Sequence, residues 1–199
     1  MKNLSNAERK RQKREAILTS ARHVFRQKGL IDVTMKDIIE ATGISRGGIY
    51  LYFDSVDQIF MEVIKQRSNR KFDDIRQAIT KNPPFEELLN DYLASHEDRL
   101  LNQMDNSLLR SMYEYYFTHK TAADHKFQQE QLAATKKTIL AILELGVAQG
   151  ILRDDKIAEI AENFMFVIEG MSVMALTGGI THQQLTEQFD LMKKMLPKI

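Results

Sequence analysis

The sequence predicts an all-α protein, and three observations support this class. Apolar residues recur every three or four positions along most of the 199 residues, whereas the alternation typical of strands never lasts beyond a few residues. A helix-capping pair, Thr34 with Asp37, stands ahead of one such segment. Glycine or proline ends several of them, most clearly at residues 82–84, which read Asn-Pro-Pro. We therefore expect about nine helices.

The first helix is predicted to end before Gly29, because an apolar stripe runs from Ile17 to Phe25 and glycine then stops it. The segment ahead of this stripe, residues 1–14, is polar and strongly basic, and Ser5 or Asn6 could cap the helix. Such an arm can reach DNA phosphates or a minor groove, or it can be a solvated tail. The sequence leaves both interpretations open.

Two short helices are predicted next. Thr34 begins the first of them and Gly43 ends it, and Ser45 caps the second, whose apolar positions lie between Ile49 and Phe53. Two capped helices joined by a tight glycine turn form a helix-turn-helix, in which the second helix enters the DNA major groove. The alternative is a pair of short helices in an ordinary bundle.

The string TGISRGGIYLYF, preceded by TMKDI and followed by DQIF, resembles the DNA-binding region of the TetR family of bacterial repressors. The resemblance covers roughly residues 14–64, and beyond them it rests only on length and helical pattern. It implies an amino-terminal three-helix DNA-binding domain, residues 1–54. A fourth helix would join it to a helical domain for effector binding and dimerisation, residues 55–199.

The resemblance implies DNA contacts from Thr34, Ser45, Arg46, Gly47, Tyr50 and Tyr52. The residues themselves add Lys36 and Gly48 to this DNA-binding set. Arg46 can donate two hydrogen bonds to guanine, and the N-terminal end of a helix favours phosphate. The paired glycines allow DNA to approach the backbone closely, or they mark only a loose helix start.

This chain departs from the family at two positions. Val56 stands where a lysine is common, and Asp54 stands where a basic or neutral residue is usual. Together the two changes are expected to remove about one phosphate contact. The basic N-terminal arm could compensate for this loss.

Helix 4 is predicted to begin with a second capping pair, Ser55 with Gln58, and to run to about Lys81. The join between the two domains therefore lies within this helix. The remaining predicted helices are Phe85–Asn102, Asp105–Thr118, Ala122–Gln149, Lys156–Leu176 and Thr181–Leu196.

The last two helices carry a broad apolar stripe with small residues, and the resemblance implies that they pair with their copies in a homodimer. The predicted dimer residues are Phe164, Ile168, Met171, Ala175, Leu185, Phe189 and Met192. Each of them could instead belong to the core of one protomer.

Family members hold a small effector between their central helices. The candidates here are His96, Met112, Tyr113, Tyr116, Phe117, Phe164 and Glu169. Methionine and aromatic side chains suit an adaptable cavity, although the same stripe also suits a plain core. Glu169 could meet a cationic effector or a partner arginine, or it could face water.

Composition narrows the function further. Residues 1–70 contain 14 Lys and Arg against 8 Asp and Glu, whereas residues 71–199 contain 14 against 19, which suits a DNA-binding domain on an acidic body. Chance asymmetry is the alternative. The chain has no cysteine, and its five histidines show no metal-binding spacing. We expect no metal, no cofactor and no catalysis.

No signal peptide is visible, and the most apolar segment, Phe164–Leu176, is shorter than the ~20 residues of a membrane span. We therefore expect a cytoplasmic homodimer with no membrane partner. It would regulate transcription, most simply as a repressor that binds a palindromic operator and is released from it by a small molecule. A DNA-binding regulator without an effector, controlled by protein partners or constitutive, is the alternative.

Overall fold

The computed structural model describes residues 5–104 and 107–199, and these residues form nine α-helices. Their only extended pairing is one antiparallel bridge, between Leu152 and Lys198, so the all-helical prediction is confirmed. The helices are α1 (Asn6–Lys28), α2 (Met35–Thr42), α3 (Arg46–Tyr50), α4 (Val56–Ile79), α5 (Phe85–Asn102), α6 (Leu109–Thr118), α7 (Ala122–Ala148), α8 (Ile157–Thr177) and α9 (His182–Lys194).

Side-chain caps set many of the helix starts. Thr34 and Asp37 form the predicted capping box at α2, and Gly43 ends that helix in the left-handed conformation at φ 66°. At α4 only one of the two hydrogen bonds of the predicted capping box forms. Ser55 accepts the Gln58 N–H, but the Gln58 side chain accepts the backbone N–H of Asp54 instead, at 2.7 Å.

The structure selects Ser5 from the two predicted caps of the first helix, and it moves the start of the sixth. Helix α1 begins at Asn6, capped by Ser5 with Glu8, so the basic residues 9–14 lie on a helix and not on a free arm. Residues 1–4 lie outside the described part of the chain. The predicted start of the sixth helix, Asp105, also lies outside it, and the observed helix α6 begins at Leu109.

The buried side chains form two apolar clusters. One unites α1, α2, α3 and the first half of α4, and it is closed by α6 and by Phe127 of α7. The other unites α5, α7, α8 and α9. Because α4 and α6 contribute to the amino-terminal cluster and also contact the rest of the body, the two clusters are joined by packed helices.

Helix α8 is long and apolar enough to cross a membrane by length and composition, with a mean hydropathy of 1.3 over its most apolar window. The apolar run is therefore longer than Phe164–Leu176, and length alone does not exclude a span. One side of α8 packs in the core against α5 and α7, with Ala161, Phe164 and Ile168 buried, as expected of a core helix.

Candidate functional site

Helix α3 presents its polar side chains outward. The Ser45 hydroxyl caps the helix by accepting the Gly48 N–H at 3.3 Å, and Ile49 is fully buried beneath it. Arg46 and Tyr50 are exposed, and the Arg46 guanidinium lies 5.6 Å from the centre of the Tyr50 ring. Two predicted DNA-contacting side chains are therefore adjacent and free to meet a groove.

The two glycines of α3 differ in their surroundings. A Cβ added at Gly47 would meet nothing within 4 Å. A Cβ added at Gly48 would lie 2.8 Å from Cγ2 of Ile44, closer than real Cβ contacts. Packing within the protein therefore accounts for Gly48, whereas only an external surface can require a glycine at position 47.

The remaining predicted DNA residues lie around α3. The Thr34 hydroxyl donates to Asp37 at 2.6 Å, and Asp37 also binds Lys28, so hydrogen bonds from Lys28 and then Thr34 lower the pKa of Asp37. Lys36 is exposed at the N-terminal end of α2, with Glu40 at 3.7 Å. Tyr52 is partly buried, and its ring packs against the amino-terminal cluster.

The amino end of α1 adds a basic groove beside α3. Arg9, Lys10 and Lys13 line this groove together with Leu51 and Tyr52. Because the three cations stand on a helix, their positions relative to α3 are fixed, which suits phosphate contacts. Leu51 is 79% exposed and was not predicted to be part of this surface.

A small cavity lies between the central helices, with a volume of about 40 Å³. This volume has room for a few water molecules. Its lining comes from α4, α5, α6, α7 and α8. The lining residues are Arg67, Ser68, Lys71, Tyr92, His96, Arg99, Leu109, Met112, Tyr116, Gln131, Leu132, Ala134, Thr135, Thr138 and Glu169.

His96 is at the centre of the polar part of this cavity. Its Nε2 lies 2.9 Å from the Lys71 ammonium group, and its Nδ1 contacts the Arg99 guanidinium. Burial, followed by the charges of Lys71 and Arg99, lowers the pKa of His96 well below 6.5. A neutral imidazole accepts one hydrogen bond only. The ring therefore cannot accept from Lys71 and Arg99 at the same time.

Lys71 is affected by burial in the same way as His96. Burial lowers its pKa well below 10.5, and the charges of Arg99 and Arg67 act in the same direction. Arg67 donates to Sδ of Met112 at 3.1 Å, and burial lowers its pKa to about 10. Among the described residues, the only acidic one that lines the cavity is Glu169, which accepts the Tyr113 hydroxyl at 2.6 Å.

Four predicted effector residues line the cavity: His96, Met112, Tyr116 and Glu169. Tyr113 reaches it indirectly, through its hydrogen bond to Glu169. Phe117 does not, since it is 68% exposed on the outer side of α6, and Phe164 is fully buried in the apolar core. Phe117 and Phe164 therefore do not line the cavity, contrary to the prediction.

The basic residues of the cavity were missed. A signal for them existed in the sequence, because Arg67 and Lys71 continue the buried stripe of Val63 and Ile64 at helical spacing. A cation on an inward stripe is costly unless it has a partner or a ligand.

The predicted dimer residues lie mainly inside the protomer. Phe164, Ile168, Met171, Leu185, Phe189 and Met192 are buried in its own core, and Ala175 is partly buried. The six buried residues therefore pack in the core of the protomer, and the dimer contact of the partly buried Ala175 stays a prediction. The large apolar side chains that α8 and α9 expose are Phe166, Met174 and Leu191, with Met195 just beyond α9.

Helix α6 holds the turn between α1 and α2. The Glu114 carboxylate accepts the backbone N–H groups of Leu30 and Ile31, the latter at 3.1 Å. The Ser111 hydroxyl donates to the Phe25 carbonyl at 2.9 Å. Gly29, at φ 80°, lies so close that a Cβ there would be 2.6 Å from the Glu114 carboxylate. The cavity wall and the DNA-facing domain are therefore connected by hydrogen bonds.

Comparison with known proteins agrees with this geometry. The sequence model of the bacterial regulatory proteins of the tetR family matches residues 17–63. An uncharacterized HTH-type transcriptional regulator of Bacillus subtilis, YfiR, is 27% identical over 85% of this chain and 82% of its own. The HTH-type transcriptional repressor KstR2 of Mycolicibacterium smegmatis is 25% identical over 89% of this chain and 86% of its own.

Solved structures share the fold. A TetR-family transcriptional regulator from Cytophaga hutchinsonii superposes with a TM-score of 0.71 at 21% identity, over 100% of both chains. Reduced NemR of E. coli gives a TM-score of 0.76 at 11% identity, over 93% of this chain and 98% of its own. Residues 17–63 therefore carry the DNA-binding domain of the tetR family, and the chain as a whole is similar to DNA-binding transcriptional regulators of that family.

Proposed function

We propose that the protein is a cytoplasmic, non-catalytic repressor that binds a palindromic operator as a homodimer and is released by a small molecule in the central cavity. Residues 1–54 would bind DNA, and residues 55–199 would bind the effector and the second protomer. Each copy of α3 would place Arg46 and Tyr50 in one major groove, with Arg9, Lys10 and Lys13 on the adjacent phosphates.

One observation carries this proposal: α4 belongs to both domains. Ile59 and Phe60 of α4 are buried in the amino-terminal cluster directly after α3, whereas Arg67 and Lys71 of the same helix line the cavity. A molecule that widens the cavity would therefore displace α4 and with it the recognition helix. The hydrogen bonds of Glu114 give α6 a second connection of the same kind.

A homodimer through α8 and α9 is supported by the apolar surface that these helices leave exposed. Phe166 is 61% exposed and Met174 is 47% exposed. Exposed large apolar side chains on neighbouring helices are typical of a contact surface between protomers. A palindromic operator would follow from the two-fold symmetry of such a dimer.

The size of the cavity favours a second candidate function. Cavities for drug-sized ligands measure roughly 300–1,000 Å³, whereas this one holds about 40 Å³. A regulator that binds its operator without any small-molecule effector would need no larger space.

Selection of bound sequences from random duplex DNA, followed by release assays, tests the proposal. We expect a palindrome with two half-sites, bound by two protomers. A library of small metabolites is then screened for loss of binding to that operator. A compound that releases wild-type protein, but not a variant with a filled cavity such as Ala134→Phe, supports the effector. Failure to enrich any duplex would refute DNA binding itself.

A further inference from the structure

The central cavity carries an excess of basic side chains. Arg67, Lys71 and Arg99 all reach it, against the single carboxylate of Glu169. Within the described residues, no carboxylate oxygen lies within 4.0 Å of the nitrogens of these three cations. Enclosed cations are normally paired, because desolvation of a charge is costly.

Hydrogen-bond donors in the cavity also remain without partners. Arg99 Nε and the hydroxyl groups of Tyr92 and Tyr116 are buried and have no hydrogen-bond partner among the described residues. Arg67 has only the thioether of Met112, a weak acceptor. Guanidinium and phenol groups therefore converge on one small space with unused N–H and O–H donors.

We propose that the effector of this cavity is an organic oxyanion whose carboxylate or phosphate group binds between Arg67, Lys71 and Arg99. The inference rests on the proposed function, because it names the chemical class of the molecule that would release the operator. Arginine matches such a head with paired, charge-assisted hydrogen bonds. The apolar part of the ligand would lie against Leu109, Met112 and Leu132, which are apolar members of the lining.

The network around His96 provides the charge that such a ligand needs. Lys71 lies beside His96, with its Nζ 2.9 Å from Nε2 of the ring. An oxyanion beside Lys71 would favour its ammonium form, because an opposite charge counteracts the lowering of its pKa by burial. A cationic molecule would instead meet three basic groups.

The limited volume links binding to movement. About 40 Å³ admits a small anionic head and no chain of several carbons. A chain would push α6 and α7 away from α4 at Leu109 and Leu132. Since α4 and α6 both contact the DNA-binding domain, a longer anion should release DNA better than a short one.

A thermal unfolding series on the full chain tests this inference. Wild-type protein is heated, at constant ionic strength, with octanoate, octyl phosphate, octylamine or octanol. We expect octanoate or octyl phosphate to raise Tm by roughly 3–6 °C at ten times its dissociation constant. Octanol and octylamine should give no comparable rise. The two anions distinguish a carboxylate head from a phosphate head.

Matched variants separate the cavity from general anion effects. Arg67→Met and Lys71→Met should abolish the rise in Tm caused by the anion, whereas Arg70→Met, an exposed arginine on the same helix, should retain it. If one cavity variant does not fold, the other decides. A shift retained in these variants, an equal shift with octylamine or octanol, or no shift with either anion would overturn the inference.

The proposed function is tested separately, on the operator. A neutral or cationic compound could release DNA by binding in the cavity. That result would overturn the anion inference, but the proposed release of the repressor by an effector would still stand. Anion binding that is lost in Arg67→Met but never changes operator affinity would support the anion site and refute release.

Discussion

Arg46 is an exposed side chain whose surroundings leave it free to read a base. Its guanidinium contacts no acidic group among the described residues and lies only over the Tyr50 ring, at 5.6 Å. A free, planar guanidinium on the first turn of α3 suits paired hydrogen bonds to guanine O6 and N7.

We therefore expect Arg46→Ala to lose about 1–3 kcal/mol of discrimination at one base pair in each half-site. Folding should be unaffected because the side chain is exposed, and Tm is the control. Binding to operators carrying every single base change measures the effect. An equal loss on all sequences would identify Arg46 as a phosphate contact instead.

The two glycines of α3 provide a matched pair of substitutions. Gly47→Ala should fold at least as stably as wild type, since alanine is favoured over glycine in a helix by about 1 kcal/mol and its Cβ meets open space. It should nevertheless lose operator affinity, if DNA approaches the backbone there. Gly48→Ala should lower the free energy of unfolding by about 1 kcal/mol or more, because Ile44 lies in the way.

Urea unfolding and operator titration of both variants measure the two effects. Full affinity in Gly47→Ala would mean that DNA does not approach this position. Stability equal to wild type in Gly48→Ala would mean that Ile44 moves aside without cost.

On the scale of elements, α6 is the helix whose role no periodicity indicated. Its apolar residues, among them Met112 and Tyr115, pack on the amino-terminal cluster, and its Glu114 binds two backbone N–H groups of the turn after α1. The side chain of Glu114 is 15% exposed, so these bonds are sheltered from water. A capped turn in one domain is thus held by a carboxylate from the other.

Glu114→Ala should destabilise the protein by roughly 1–3 kcal/mol, because the N–H groups of Leu30 and Ile31 would lose their acceptor. Glu114→Gln retains an acceptor oxygen and should recover most of that loss. Urea unfolding measures both variants. The control is Arg110→Ala, whose exposed ion pairs with Asp32 and Glu114 should contribute at most about 1 kcal/mol. Equal losses in all three would contradict the sheltered-acceptor argument.

On the scale of the whole molecule, the neutral His96 couples stability to pH. The folded state holds its pKa well below 6.5, chiefly by burial, whereas the unfolded chain binds a proton near 6.5. Between those two values the unfolded state binds more protons, so the free energy of unfolding falls as pH falls below about 6.5. His96 alone contributes a slope that approaches about 1.4 kcal/mol per pH unit, and Lys71, whose pKa burial also lowers, adds to it with the same sign.

Urea unfolding between pH 7.5 and 5 measures this slope. Carboxylates with lowered pKa values, such as Asp37 and Asp124, act only below about pH 4 and do not contribute there. His96→Gln should flatten the pH dependence in this range. The same slope in that variant would show that another group is responsible.

Assembly is also a property of the whole molecule. Phe166→Glu should convert the proposed dimer into monomers and weaken operator binding at least tenfold, because a carboxylate would be buried without a partner at the contact. Analytical ultracentrifugation measures the mass. Phe117→Glu is the control, since Phe117 is similarly exposed, at 68% against 61%, but lies on α6. Dimers that persist in Phe166→Glu would place the contact elsewhere.

The sequence by itself determined those features that depend only on residues close together in the chain. The bounds of α2 follow from the Thr34 capping box and the left-handed Gly43, and α5 begins at Phe85, directly after the Asn-Pro-Pro break at residues 82–84. The family motif likewise indicated the recognition helix, because its residues act within one short segment. Capping, turns and periodicity involve residues only a few positions apart, so they are readable in sequence.

Tertiary structure alone decided which partners meet across long separations. The sequence did not show that Lys71 of α4 would contact His96 of α5, or that Glu114 would bind the turn at Leu30. Nor could an apolar period distinguish Phe164, which faces the core, from Phe166, which faces outward. An apolar period indicates that a helix has a buried side. The packing of the other helices decides which residues lie on that side and which residues they contact.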